Sequence, residues 1–178
     1  MAKKCSKIVF IVAMSLLVFS HSNAATLTPT EDTFIDAYYP NAVHGSEDNL
    51  KVRGGSSKLK VLVKFDLSRI GANSVSSAAL KLYYWHHNDG DPNGDTYNAY
   101  RITSGWDKAT TSWNNPPTWS GTVTDSITMP GSYDWVEWDV TDDVQDFVNG
   151  PKTNYGWLID TSVMVNTISV FRSSDYGD

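Results

Sequence analysis

Apolar and polar residues alternate along residues 58–67, and this stretch carries the clearest structural signal in the chain. One set is Leu59, Val61, Val63, Phe65 and Leu67, and the other is Lys58, Lys60, Leu62, Lys64 and Asp66. Because successive side chains of a strand point to opposite sides of the sheet, this pattern predicts a strand with one buried face. The opposite face carries three lysines, and we expect it to contact water or a ligand.

Short alternating segments continue along the chain, separated by clusters of Gly, Pro, Asn, Asp and Ser. This arrangement predicts an all-β sandwich of antiparallel sheets. One helix is predicted between Thr141, whose hydroxyl would cap it, and the stop signal Gly150-Pro151, and we expect it to plug one end of the sandwich. The predicted strands span residues 33–37, 49–53, 58–67, 76–85, 96–102, 121–127, 133–139, 156–160 and 167–172.

Residues 1–24 have the organisation of a secretory signal peptide. Lysines at positions 3, 4 and 7 precede an apolar run over residues 8–19, and Ser22-Asn23-Ala24 follows as the cleavage region. The apolar run is too short for a typical membrane span. We therefore expect cleavage after Ala24, and a single secreted or cell-surface domain of residues 25–178 that has no membrane contact afterwards.

Loss of the signal peptide changes the charge and removes the only thiol. Three of the 14 basic residues leave, so 11 remain against 20 acidic residues. Such a balance argues against nucleic acid as a partner. Cys5, the single cysteine, leaves as well, so the exported chain is predicted to have neither a disulfide nor thiol chemistry.

Several segments, in order and spacing, match a known family. They are residues 32–36, 48–53, 62–68, 75–82, 106–117, 139–141 and 154–159. The chain resembles the DNRLRE-type domain, a secreted jelly-roll module of bacteria and archaea grouped with carbohydrate-binding modules, some of which recognise alginate. The resemblance implies a jelly-roll sandwich and a glycan ligand. It also implies a last strand after a segment like residues 171–175, so we expect that strand to be missing from this chain or an edge to be open.

Cations recur on the outward sides of several predicted strands. The alternation rule assigns this orientation to Lys51, Arg53, Lys60, Lys64, Lys81 and Arg101. Arg101 is assigned outward because burial of an unpaired guanidinium is costly. If these strands are neighbours in one sheet, the cations form a single basic patch beside Tyr83 and Trp85.

A basic patch with flat aromatic rings suits an acidic polysaccharide. Arginine can bind a uronate carboxylate through two hydrogen bonds, lysine supplies a mobile charge, and an aromatic ring covers the apolar face of a sugar. Alternatively, lysines on strands only keep sheet edges from pairing with other chains. The residues alone leave both interpretations open, and the resemblance to a glycan-binding family favours the ligand surface.

Residues 106–119 form a long irregular stretch that is rich in tryptophan. It could be a sugar platform, or a loop folded over the sandwich end with its tryptophans packed inward. We favour the loop, because a long structureless segment needs such packing to stay ordered. Trp135 and Trp138 fall on opposite faces of another predicted strand, so one of them is expected to be exposed.

Residues 88–95 have the oxygen ligands and glycine spacing of a calcium loop. The candidate ligands are Asp89, Asp91, Asn93 and Asp95. The closing glutamate is absent, since Tyr100 takes its place, and the flanking segments are strands rather than helices. The alternative is a hairpin turn, which Asn-Gly and Asp-Gly favour. Ca2+ is therefore a candidate structural cofactor.

No nucleophile elbow or zinc-ligand spacing is present, and His44, His86 and His87 are interpreted as ordinary surface residues. We predict a secreted, non-catalytic module for an acidic, uronate-containing polysaccharide such as alginate, with catalytic domains or further copies as candidate partners. One alternative is a jelly-roll polysaccharide lyase that uses Tyr83, His86 and Arg101. The other is a surface structural or adhesion protein whose open edge accepts a strand.

Overall fold

The structure is a computed structural model that describes residues 25–71, 75–163 and 166–177, so the predicted signal peptide lies outside the described residues. The elements are β1 (Pro29–Asp36), β2 (Asn49–Arg53), β3 (Leu59–Phe65), β4 (Ala79–Asn88), β5 (Thr96–Arg101), β6 (Asp125–Thr128), β7 (Trp135–Asp139), α1 (Thr141–Asn149), β8 (Trp157–Thr161) and β9 (Ile168–Arg172). Each predicted strand has a counterpart among them. No helix in the described ranges is long and apolar enough to cross a membrane.

The strands form two antiparallel layers. Their hydrogen-bonded order is β6-β5-β8-β3-β2-β9-β4-β7, and β1 pairs with the remaining edge of β3. Strands β2 and β3 share only the pair Arg53 and Leu59, and we divide the series there into two sheets. Sheet I contains β1, β3, β8, β5 and β6, and sheet II contains β2, β9, β4 and β7. This arrangement confirms the predicted all-β, jelly-roll-like sandwich with one short helix.

Both sheets turn alternate side chains into one core between the layers. Sheet I contributes Phe34, Val61 and Tyr97 to this core, and sheet II contributes Leu82 and Phe171. Burial of each large apolar side chain contributes about 1.5–3 kcal/mol, so this shared core holds the layers together. Burial also raises the pKa of Tyr97 to about 12, so its hydroxyl stays protonated.

Helix α1 packs on this core through an apolar stripe, in which Val144 and Phe147 are buried. It ends at Gly150, whose φ of 86° lies in the left-handed region that glycine adopts readily. The predicted helix cap at Thr141 is wrong. Its hydroxyl instead accepts the backbone amide of Ala78 at 2.9 Å, which ties the helix to the start of β4.

The outer face of sheet I is covered by the tryptophan-rich loop. Trp106, Trp113 and Trp119 pack on three buried side chains of this face, which are Ile35, Leu62 and Leu158. The prediction of inward-packed tryptophans is confirmed, although the loop covers a sheet face rather than the end of the sandwich. Strand β3 is consequently covered on both sides. The expectation that its lysine-bearing face contacts water or a ligand is wrong for Lys60, which is buried, whereas Lys58 and Lys64 stay partly exposed.

The connections of sheet II differ from one expectation and fix the position of β9, while a missing last strand stays a prediction. Residues 89–95 lead from β4 in sheet II to β5 in sheet I, so the hairpin interpretation of this segment is wrong. Strand β9, the last described strand, lies between β2 and β4 rather than at an edge. This central position brings Arg172 beside the outward side chains of β4.

Candidate functional site

The six predicted cations divide between the two sheets, so the prediction of a single basic patch is wrong. Sheet I carries Lys60, Lys64 and Arg101, and sheet II carries Lys51, Arg53 and Lys81. All of these except Arg53 form an ion pair with a carboxylate of the chain itself. Most of their charge is therefore neutralised within the protein.

Lys60 and Lys64 contact the tryptophan-rich loop. The ammonium of Lys60 lies 2.9 Å from Asp160 and 4.5 Å from the centre of the Trp119 ring. The ammonium of Lys64 lies 2.6 Å from Glu31, and 5.4 Å from the centre of the Trp106 ring. Each lysine thus contacts the loop through a cation–π interaction, whereas its ion pair lies within sheet I.

Arg101 faces inward, contrary to prediction. It lies on the same side of β5 as Tyr97 and Ala99, which belong to the core. Its Nε lies 3.3 Å from the carboxylate of Asp143. Asp143 belongs to helix α1 and also accepts the indole N–H of Trp157 at 3.1 Å. The assumption of an unpaired guanidinium fails here because the helix supplies its partner, which offsets the cost of burial.

Lys51 and Arg53 line a cleft of about 440 Å³ between β1 and β2. We call it the edge cleft and define it by Tyr38, Tyr39, His44, Lys51 and Arg53. Tyr38 and Tyr39 are 66% and 60% exposed, with their rings edge to face. The Nε of Arg53 donates to the backbone oxygen of Ser57, and Arg53 forms no ion pair with a described residue. The cleft thus combines open aromatic rings and an available guanidinium with the buried carboxylate of Asp36, which accepts the backbone amide of Tyr38 at 2.7 Å.

Electrostatics in the edge cleft centre on Glu47. Its carboxylate lies 2.5 Å from Nδ1 of His44 and 3.1 Å from the ammonium of Lys51. Partial burial acts to raise the pKa of Glu47, but hydrogen bonds from His44 and Lys51 outweigh it and lower the pKa. Nε2 of His44 is buried and has no hydrogen-bond partner among the described residues.

The outer face of sheet II carries an open group of aromatic rings around one arginine. We call it the aromatic face and define it by Tyr83, Trp85, Trp135, Arg172 and Tyr176. Tyr83 and Trp135 are cross-strand partners whose ring centres are 5.4 Å apart. Trp135 is 57% exposed, whereas Trp138 is fully buried in the core. The prediction that one of these two tryptophans is exposed is confirmed, and it is Trp135.

Arg172 lies at the centre of the aromatic face. Its guanidinium carbon is 4.7 Å from the centre of the Tyr83 ring and 4.3 Å from that of Tyr176. No carboxylate among the described residues forms an ion pair with it. The rings therefore orient a guanidinium whose N–H donors have no acceptor among the described residues and are suited in geometry to an anionic group.

The neighbours of the aromatic face fix its shape. The indole N–H of Trp85 donates to the side-chain oxygen of Asn49 at 3.0 Å. Lys81 pairs with its cross-strand partner Glu137 at 2.5 Å. Both predicted aromatic residues, Tyr83 and Trp85, therefore lie on the outer side of sheet II, and the face offers flat rings with a single unpaired cation.

The residues suggested for a lyase are not brought together. Tyr83 and His86 belong to β4 of sheet II, whereas Arg101 lies in β5 of sheet I and binds Asp143. No step that needs all three at one substrate can be built from this arrangement.

The predicted calcium ligands lie in the connection between the sheets. Within the described part of the chain, no three His, Cys, Asp or Glu side chains are placed to hold a metal ion. Asp91 accepts the backbone amide of Asn93 at 2.9 Å, a turn contact. Burial, followed by the nearby charge of Asp91, raises the pKa of Asp95. Calcium at Asp89, Asp91, Asn93 and Asp95 stays a prediction.

Sequence reasoning missed Arg172 and Tyr176. The signal for Arg172 was available, because Ser169 and Phe171 face the core and alternation then turns Arg172 outward. Tyr176 follows the last strand in a turn, where no alternation applies. Its approach to Arg172 is visible only in the folded chain.

A protein-family model matches this chain. It is described as carbohydrate-binding module family 96, and it covers residues 23–178. No curated protein has a significant similarity to the chain. The match agrees with the carbohydrate-binding part of the resemblance found in the sequence, and the DNRLRE-type assignment stays a prediction.

Proposed function

Because the chain belongs to carbohydrate-binding module family 96, we propose that it is a secreted, non-catalytic module that binds an acidic, uronate-containing polysaccharide such as alginate. The observation that carries this proposal is the guanidinium of Arg172, which lies between two tyrosine rings without a carboxylate partner among the described residues. A guanidinium without a partner binds a carboxylate, and it therefore favours an acidic glycan over a neutral one.

Arg172 is suited to a carboxylate. A guanidinium binds a carboxylate through two parallel hydrogen bonds, and charge-assisted bonds of this kind are about twice as strong as neutral ones. The rings of Tyr83 and Tyr176 hold the side chain in place, so little side-chain entropy is lost when the ligand binds. A uronate carboxylate would thus meet a pre-oriented partner.

The rings beside Arg172 are suited to the sugar itself. Trp135 and Tyr83 form an exposed aromatic surface on which the apolar face of a pyranose can stack. The ion pair between Lys81 and Glu137 lies next to these rings. Since this pair is neutral overall, charge selection at the aromatic face depends on Arg172.

Secretion is the second part of the proposal. Its support is the signal-peptide pattern of residues 1–24, which would place the module outside the cell. There it would act beside catalytic domains or further copies in the same protein. Mass spectrometry of the exported protein should give an N-terminus at Ala25, whereas an intact Met1 in the exported protein would contradict cleavage.

Affinity electrophoresis tests the ligand class. We expect retardation in gels that contain alginate or pectin and little retardation in gels with neutral glucans. Arg172→Gln should reduce affinity for alginate about tenfold or more, since a hydrogen bond to a charged group contributes about 1.5–3 kcal/mol. Trp135→Ala should weaken binding to both acidic polymers by removing the stacking surface.

The matched control is Arg69→Gln, which removes an exposed arginine outside the aromatic face. This variant should migrate like the wild type in every gel. Equal retardation of the wild type in acidic and neutral gels would refute the preference for uronate. An Arg172→Gln variant that binds alginate as tightly as the wild type would refute the assignment of the carboxylate site.

A further inference from the structure

We infer that one polysaccharide chain follows an extended path over sheet II, from the aromatic face along β2 into the edge cleft. This inference rests on the proposed function. It adds a second contact region, formed by Tyr38, Tyr39 and Arg53, and the course that the bound chain takes to reach it. The aromatic face alone would accommodate only a short segment of such a polymer.

Strand register joins the two regions. Asn49 of β2 pairs directly with Arg172 of β9 and also accepts the indole N–H of Trp85. Leu50 and Val52 face the core, so Asn49, Lys51 and Arg53 share the outward side of β2. The aromatic face therefore meets the row of β2 side chains at Asn49, and this row leads into the edge cleft.

The size of this path suits a chain rather than a single sugar. Trp135, Tyr83, Arg172 and Asn49 occupy four neighbouring strands, which span roughly 14 Å at the usual strand spacing. From Asn49 to Arg53 the rise along β2 adds roughly 13 Å. The two legs meet at an angle, so the bound polymer would turn near Asn49.

The edge cleft has the chemistry to hold a second acidic sugar. Arg53 forms no ion pair with a described residue, and its Nε alone is used, by the oxygen of Ser57. Its terminal nitrogens can therefore bind a carboxylate. The exposed rings of Tyr38 and Tyr39 offer a surface for stacking at the same end.

His44 and Lys51 hold the carboxylate of Glu47 beside the cleft. Its Nδ1 is 2.5 Å from Glu47, and Lys51 bonds the other oxygen of that carboxylate. If Nδ1 donates to Glu47, Nε2 of the neutral ring is an acceptor, and it has no partner among the described residues. Because this nitrogen is buried, the bound chain does not reach it, and the cleft contacts come from Tyr38, Tyr39 and Arg53.

Calorimetric titration with a uronate dimer and a uronate octamer tests this path. The wild type should bind the octamer more tightly, at one octamer per protein. Arg53→Gln and, separately, Tyr38→Ala should lower affinity for the octamer about tenfold and leave affinity for the dimer within about twofold. Arg172→Gln should weaken both ligands, and Arg69→Gln should weaken neither.

Tyr38→Ala keeps the test valid if Arg53→Gln disturbs the turn at Ser57, because the Tyr38 side chain is largely exposed. Octamer affinity that is unchanged in both variants would overturn the extended path. Two octamers per protein would overturn it as well, since the regions would then bind separate chains. A wild type that binds neither oligomer would overturn the proposed function, and this inference with it.

Discussion

Arg101 allows a direct test of whether a cation that was predicted to bind ligand instead stabilises the fold. It was predicted to bind ligand, yet its guanidinium approaches Asp143 at 3.3 Å at the junction of β5 and helix α1. The side chains of this pair are only 19% and 11% exposed. Asp143 also accepts the Thr124 hydroxyl at 2.7 Å and the Trp157 indole N–H at 3.1 Å. One carboxylate thus links the helix to sheet I.

Arg101→Met keeps much of the side-chain volume and removes the charge. It leaves Asp143 as a buried carboxylate without its cation, a change that typically costs about 3–5 kcal/mol of unfolding free energy. For a domain of this size each kcal/mol corresponds to about 2–4 °C in Tm. We therefore expect Tm to fall on the order of 10 °C.

Urea unfolding followed by tryptophan fluorescence measures this loss, with Arg69→Met as the control. The control should stay within about 0.5 kcal/mol of the wild type, as is usual for exposed positions. Below its own Tm, Arg101→Met should bind alginate as the wild type does. The double variant Arg101→Met/Asp143→Asn should recover part of the stability, because no unpaired charge remains buried.

One result would refute this reasoning directly. If Arg101→Met unfolds at the urea concentration of the wild type and loses glycan affinity, Arg101 acts on the ligand and not on the fold. The helix would then depend on its apolar stripe and not on the carboxylate of Asp143.

Three further changes test other charged groups. Lys60→Met removes the 2.9 Å contact with Asp160 beneath Trp119. The unfolding free energy should fall by about 1–3 kcal/mol, with glycan affinity unchanged. A loss of affinity would contradict the structural role of Lys60. Glu47 has a lowered folded pKa, so its stabilisation is present above the unfolded value of 4.5 and is lost as pH falls through the folded value. Glu47→Gln should therefore lower Tm at neutral pH and flatten the acid side of a Tm–pH curve, and an unaltered curve would contradict this. For the predicted calcium loop, millimolar Ca2+ should raise the Tm of the wild type by a few degrees and leave the Tm of Asp91→Asn unchanged. An equal wild-type Tm in chelator and in Ca2+ would count against the site.

Local pattern was enough to predict the strands. Alternation in residues 58–67 placed Leu59, Val61 and Val63 on one face, and these side chains do enter the core. The reason is that the direction of successive side chains follows from backbone geometry within a single strand. The orientation of Tyr83 and Trp85 was predicted from the same rule.

What covers each face could not be predicted in this way. Leu62 and Lys60 share the other side of β3, and the loop that buries them begins some forty residues later along the chain. The inward orientation of Arg101 could not be predicted either, since its partner Asp143 lies in helix α1. Burial of a charged group depends on whether a distant segment brings its counter-charge.

The sequence by itself determined the class of the protein: an all-β sandwich with its strands, one helix, and a carbohydrate-binding family signature. Tertiary structure alone decided which cations are free, because carboxylates from other segments neutralise most of the predicted ones. It also decided which side chains form the aromatic face, since the chain order of β4, β7 and β9 does not reveal that they are neighbours. Periodicity is a property of one strand, whereas a binding surface is a property of strands that meet in space.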